Sequence, residues 1–164
     1  MVQMIHLEKI DYKNVWDVYS LQVSKTQKHF VAPNDISLMQ AYVAITSKTS
    51  YAYPFAIYNN KKVVGFLMVG YNEYDIEENA PLAVKNNYSI WRFMIDKRFQ
   101  NRGYGKEAFK LALDFVRTFP SGKAEYCELS YEPENVVAKK LYASFGFVEN
   151  GEMDGDEVVA VLKL

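Results

Sequence analysis

The segment from residue 88 to residue 119 limits the fold more than any other part of the chain. Tyr88 to Asp96 is an apolar run of strand length. Gln100-Asn101-Arg102-Gly103-Tyr104-Gly105-Lys106 follows it. From Gly103 to Phe119 the period is helical, with Ala108, Phe109, Ala112, Phe115, Val116 and Phe119 on one face. Pro120 ends that helix and Gly122 follows. A buried strand passing through a glycine-containing loop into an amphipathic helix demands a sheet with helices packed on it, an α/β fold.

The loop is also the first candidate for chemistry. Gly103 and Gly105 let the backbone turn tightly and approach a ligand without a Cβ in the way. A helix start leaves unpaired N–H groups and a partial positive charge. Lys97, Arg98, Arg102, Lys106 and Lys110 surround it, with Asp96 and Glu107 the only acids between 96 and 110. Together these features suit a pyrophosphate. The plainer alternative is a strand-to-helix turn with a solvated basic face, and the convergence of three features weighs against it. Gly105-Lys106-Glu107 lacks the Ser or Thr that holds magnesium in a Walker A loop. Gly103, Gly105 and Ala108 do match the dinucleotide spacing G-x-G-x-x-A. That motif usually opens a parallel sheet, whereas here an antiparallel hairpin precedes it.

The remaining elements fit one connected sheet. Val2 to Ile10 reads as a first strand, and Val15, Tyr19 and Val23 as a helix. Asn34-Asp35 opens a second, shorter helix with Ile36, Met39 and Val43. Phe55–Tyr58 and Val63–Tyr71 form a hairpin across Asn59-Asn60. Tyr126 to Tyr131 is a strand, and Asn135 starts a helix that Gly146 ends. Phe147–Glu149 and Val158–Leu164 close with an antiparallel pair. The expected order is β-α-α-β-β-β-α-β-α-β-β in one domain, 1–164. At this length about 70% of the unfolded surface is buried, enough for a core without staples.

Charge narrows the classes of function. Lys and Arg total 19 against 20 Asp and Glu, so a broadly basic nucleic-acid binder is not expected. No apolar run reaches membrane-spanning length, and two His with one Cys make a transition-metal site improbable. With one Cys and no signal-peptide pattern, the expected compartment is the cytoplasm.

At this point the chain resembles the GCN5-related N-acetyltransferase (GNAT) superfamily. Gln100 to Gly105 fits that family's acetyl-coenzyme A loop, [Q/R]-x-x-G-x-[G/A]. A second block fits too: Asn135, Ala138, Leu141-Tyr142 and Phe145-Gly146-Phe147. Val23 to Phe30 and Gly151 to Asp154 further resemble bacterial spermine/spermidine acetyltransferases. The resemblance implies the GNAT fold: a mixed, mostly antiparallel sheet with splayed central strands, flanked by about four helices. It implies acetyl-CoA as donor and no metal. Phe93, Met94 and Ile95 would offer backbone to the pantetheine arm and thioester carbonyl, which places Met94 among the catalytic positions. Gln100, Asn101, Arg102, Gly103, Tyr104, Gly105 and Lys106 would form the pyrophosphate loop, with Asn135, Ala138 and Tyr142 on the pantetheine side. Tyr142 would protonate the departing thiolate, although a Tyr on an amphipathic helix is more often core.

The acids suggest the acceptor. Glu73, Asp75, Glu77 and Glu78 form one acidic run, and Glu149, Glu152, Asp154, Asp156 and Glu157 another. Either alone is an ordinary solvated loop. If the fold brings both to the donor's mouth, they attract a polycation. Glu73, Asp75, Glu152 and Asp154 are therefore candidate substrate contacts, joined by Trp91 through cation–π contact and by Gln27 and Phe30 through the resemblance. The span Tyr88–Ile95 holds no acid, where some related polyamine acetylases carry one; Glu73 is the first candidate base and Asp75 the second. His29 reads as a surface residue.

The expected function is acetyl transfer to a primary amine of a small polycation such as spermidine, spermine or a diamine. The amine attacks directly in a ternary complex, since the lone Cys127 sits mid-strand with no His beside it. The alternatives are a GNAT enzyme acting on an aminoglycoside or a protein N-terminus, and a non-catalytic coenzyme A sensor. A small amine is the expected partner, with no nucleic acid or membrane; a homodimer is compatible with the sequence.

Overall fold

The computed structural model describes residues 4–73 and 79–164. In chain order the elements are β1 (Ile5–Lys9), α1 (Val15–Ser20), α2 (Asn34–Ser47), β2 (Tyr51–Asn59), β3 (Lys62–Tyr71), β4 (Tyr88–Ile95), α3 (Tyr104–Val116), β5 (Tyr126–Tyr131), α4 (Val136–Ser144), β6 (Val148–Asp154) and β7 (Glu157–Lys163). The element order is the one read from the sequence. The strands form one seven-stranded sheet in the order β1-β2-β3-β4-β5-β7-β6. Every neighbouring pair is antiparallel except β4 and β5.

Two layers cover the sheet. On one face α3 and α4 bury Phe109, Leu113 and Tyr142 against Val64, Leu67 and Ile90. On the other, Val18 of α1 and Ala41 and Ala44 of α2 close over Phe66, Met68 and Met94. The hairpin between β2 and β3 turns at Asn60, whose φ of 54° is the left-handed conformation that Asn tolerates. Gly65 of β3 is required by close approach, because a Cβ there would lie 2.5 Å from the Met94 carbonyl oxygen.

Two expectations are corrected. The first helix is the short one, 6 residues against 14 for α2, and Val23 lies outside it. The cause is tertiary. The Gln22 N–H donates to the Asp96 carboxylate at 2.8 Å, and the Lys97 N–H donates back to the Gln22 carbonyl at 2.8 Å. These bonds draw the chain out of the helix at Leu21. The second correction is β6, which continues through Asp154 rather than ending near Glu149, so part of the second acidic run is strand and not loop.

The middle of the sheet creates the site. A bulge in β4 leaves Trp91 without a partner on β3, between the pairs Met68–Arg92 and Val69–Ile90. The parallel pairing of β4 with β5 is limited to Tyr88–Cys127 and Ser89–Glu128. Beyond Ser89 the two strands part, so the β5-facing main chain of β4 borders an open cleft.

Candidate active site

Two cavities meet at this cleft. The first, about 330 Å³, lies between the parted strands and is bordered by the glycine loop. Phe93, Met94, Ile95, Gln100, Asn101, Gly103, Tyr104, Gly105, Asn135, Ala138, Tyr142, Gln27 and Phe30 all line it. Arg102 and Lys106 do not; both are exposed, and Arg102 donates to the Arg98 carbonyl. Met94 is 6% exposed and packs on the α1/α2 face, so its main chain is what it can offer the cleft.

The loop is built for a ligand with acceptor oxygens. Asn101 and Gly103 take positive φ, 61° and 82°. Alternating left-handed residues turn successive N–H groups to one side. The first-turn amides of α3 follow immediately and have no partner within the helix. Gln100 fixes the loop by donating to the Ile95 carbonyl at 2.9 Å and to Gln27 Oε1 at 3.0 Å. Asp96 anchors its base by accepting from Arg98 and from the Gln22 main chain. Gly105 is the informative glycine. Its φ is not in the left-handed region, and a Cβ there would meet nothing closer than 3.7 Å. The protein has room for a side chain at 105, so glycine is explained by something that enters the cavity. Asn135 caps α4, its side-chain oxygen accepting from the Ala138 N–H at 3.2 Å. Its amide group remains for the cavity.

The second cavity, about 380 Å³, lies under the β4 bulge. Glu73, Glu128, Asp154 and Glu157 line it, facing one guanidinium, Arg92. Trp91 and Phe30 are in its wall and His29 is at its edge. Arg92 is held by Gln40 Oε1 at 2.8 Å and the Trp91 carbonyl at 2.7 Å. Phe30, Phe93, Ser130 and Tyr142 border both cavities. Tyr142 is 9% exposed and packs on Phe109, Tyr131 and Phe147. Its hydroxyl makes no hydrogen bond among the described residues. Burial, aided by the nearby Glu157 and Tyr131, pushes that hydroxyl well above the ordinary tyrosine range.

The acetyltransferase (GNAT) family model matches residues 3–147. The chain belongs to this family. It is accordingly an acetyl-CoA-dependent N-acetyltransferase, and the Gly105 cradle and orphan amides fit such a donor. Among curated proteins it is 31% identical over 160 residues to the spermine/spermidine N(1)-acetyltransferase of Bacillus subtilis, covering 94% of this chain and 96% of that one. Two solved structures share the fold: the PaiA N-acetyltransferase of Thermoplasma acidophilum in complex with coenzyme A and the spermidine N-acetyltransferase of Vibrio cholerae in complex with CoA and spermine. The first has a TM-score of 0.66 at 15% identity and covers 98% of this chain and 99% of its own. The second has a TM-score of 0.65 at 16% identity, with 98% and 94% covered.

Glu128 and Ser89 are buried in the second cavity, and sequence reading named neither. The available signal was an acid in the middle of an apolar strand, Tyr126–Tyr131. Glu157 was legible only as one acid in a run. Ser130 donates a short hydrogen bond to Glu157, and burial raises that carboxyl above its ordinary 4.5, reinforced by Asp154 and Glu132 and opposed by Ser130 and Arg92. Glu152, a predicted substrate contact, is used elsewhere: it accepts from the Leu82 and Ala83 main chain and from Asn150. Asp75, Glu77 and Glu78 lie outside the described residues.

Proposed function

We propose that this acetyltransferase acetylates a primary amine of spermidine, spermine or a diamine, by direct attack of the amine in a ternary complex. The observation that carries this reading is the wall at Tyr142, which a glycine-loop cavity shares with a cavity lined by four carboxylates and one guanidinium. A polycation is drawn to such a surface. This reading agrees with the likeness to the spermine/spermidine N(1)-acetyltransferase of Bacillus subtilis and the spermidine N-acetyltransferase of Vibrio cholerae.

The chemistry sets a division of labour. An alkyl amine has a pKa of about 10.4, so roughly one molecule in 10³ is neutral at pH 7. The reacting nitrogen must lose a proton, while distal nitrogens should keep theirs. Glu157 suits the proton acceptor, since Ser130 holds it beside the shared wall and burial raises its carboxyl above the ordinary glutamate value. Glu73, the base expected from sequence, suits cation binding better: it is 3% exposed, and its Oε1 sits against Gly70 and beside Ser89 at the start of β4, away from Phe93. Trp91 would present its ring to a cation, and Asp154 would face the substrate. Asp75 is retained as a substrate contact from sequence alone. The main chain of Phe93, Met94 and Ile95 would receive the thioester carbonyl and pantetheine arm, and the amides from Asn101 to Lys106 the pyrophosphate. Tyr142 would donate its proton to the departing sulfur. Direct transfer is supported by Cys127, which is fully buried; burial first, then Glu128, pushes its thiol up, away from the reactive thiolate.

The test is thiol release from acetyl-CoA with spermidine, an aminoglycoside and a peptide in parallel. Release fastest with spermidine is expected. Release with only the aminoglycoside or only the peptide would reassign the acceptor, and release with none would point to a coenzyme A sensor.

A further inference from the structure

The four carboxylates of the acceptor cavity are not one cluster. Glu157 and Asp154 lie by Ser130, one of the residues that border both cavities. Glu73 and Glu128 lie by Ser89, at the other end of the β4 segment that lines the cavity. From Ser89 to Phe93 the strand advances roughly 10–13 Å. The Ser89 end and the main chain of Phe93, where the acetyl group would be offered, are therefore separated by about the length of a polyamine, although Glu128 and Ser130 are only two residues apart on β5.

Three independent features gather at the Ser89 end. Ser89 is 2% exposed and lines the cavity, and its hydroxyl has no hydrogen-bond partner among the described residues. Such a group is costly to leave unmatched, so an unmatched one lining a cavity points to a ligand. Second, Gly70 pairs with Ser89 across the sheet, and the point where a Cβ would sit is 2.1 Å from Glu73 Oε1 and 2.6 Å from Ser89 Oγ. Only glycine lets the carboxylate reach Ser89. Third, the short parallel pairing of β4 with β5 sets Glu128, 4% exposed, directly opposite Ser89. An alkylammonium has three N–H donors and no acceptor. Two carboxylates and one hydroxyl give it three acceptors. Arg92, the guanidinium in the wall, is tethered to Gln40.

We infer that Glu73, Ser89 and Glu128 form a subsite for the distal ammonium of a di- or polyamine, measuring the distance from that charge to the nitrogen that reacts. The inference rests on the amine reading above and adds a length requirement to it. A monoamine leaves the subsite empty, and a diamine too short to reach from Phe93 to Ser89 gains nothing from its second charge. The subsite binds and orients; it takes no part in proton transfer.

The test compares the wild type with Ser89→Ala and Glu128→Gln, using spermidine and butylamine as acceptors. Calorimetry reads spermidine affinity in the presence of coenzyme A. The wild type is expected to prefer spermidine over butylamine by kcat/KM at least 100-fold. Both variants are expected to weaken spermidine binding at least 10-fold, to raise its KM, and to narrow the preference for spermidine over butylamine by a similar factor. Ser89→Ala also separates binding from folding. It removes a hydroxyl that the fold does not pair, so its Tm should hold or rise while spermidine affinity falls. Gly70→Ala, which displaces Glu73, should act in the same direction on affinity. If the wild type acetylates spermidine and both variants bind it as tightly as the wild type, the subsite is wrong while the amine reading stands. If the wild type neither binds nor acetylates spermidine, both are wrong.

Discussion

The two cavities that meet at Tyr142 are made in different ways. The donor cavity is made largely of main chain: a loop with two left-handed residues, the first turn of α3 and the unpaired edge of β4. The acceptor cavity is made of side chains: four carboxylates from three parts of the chain, a guanidinium and three hydroxyls. Main-chain recognition depends on geometry that contiguous residues dictate. Side-chain recognition depends on which distant strands become neighbours. The donor side should thus be more sensitive to added bulk than to lost charge, and the acceptor side more sensitive to lost charge.

The largest effect should come from bulk on the donor side. Gly105→Leu has room for its Cβ but sends its side chain into the cavity. Acetyl-CoA affinity should fall by on the order of 10³-fold, with Tm within a few degrees of the wild type, as read by calorimetry and thermal melting. Equal affinity would show that the loop is not the donor's cradle. Next comes the junction. Tyr142→Phe keeps the packing on Phe109 and removes the hydroxyl, and turnover should drop about 10- to 1,000-fold with little change in either KM. Unchanged turnover would remove Tyr142 from the mechanism.

Glu157→Gln should lower kcat about 10- to 100-fold. In the wild type, kcat/KM for the amine should climb with pH as Glu157 loses its proton, with an inflection above the ordinary glutamate value because burial raises it. The variant should lose that limb. Persistence of the limb would assign the base elsewhere. The smallest effect concerns stability. Burial raises the Asp96 carboxyl, but hydrogen bonds from the Arg98 side chain and main chain and from Gln22 outweigh it, and the net shift is below the ordinary 3.8. A carboxyl lowered on folding stabilises above its unfolded pKa and loses that contribution as pH falls through the folded value. Urea melts should show that acid loss below pH 4 in the wild type and a smaller one in Asp96→Asn.

The same contrast explains what sequence could reveal. The order of elements was legible because apolar periodicity and the breaks at Asn60, Pro120 and Gly146 are local. The donor loop was legible because its glycines, basic residues and helix start are adjacent. The length of α1 was not, because Asp96, 74 positions from Gln22, ends it. Glu128 and Ser89 were hidden for the same reason. Their importance comes from a two-residue parallel pairing between strands separated by the whole of α3. Glu152 shows the opposite failure, a charge that pattern assigns to substrate and the fold assigns to a backbone turn at Leu82.

The central claim is that acetyl passes straight from one cavity to the other while both are filled. Initial rates of thiol release, with acetyl-CoA and spermidine varied together, test it most directly, run on the wild type and on Cys127→Ala. Intersecting double-reciprocal lines and an undiminished rate in the variant are predicted. Parallel lines, or acetyl retained on the protein in the absence of amine, would contradict it.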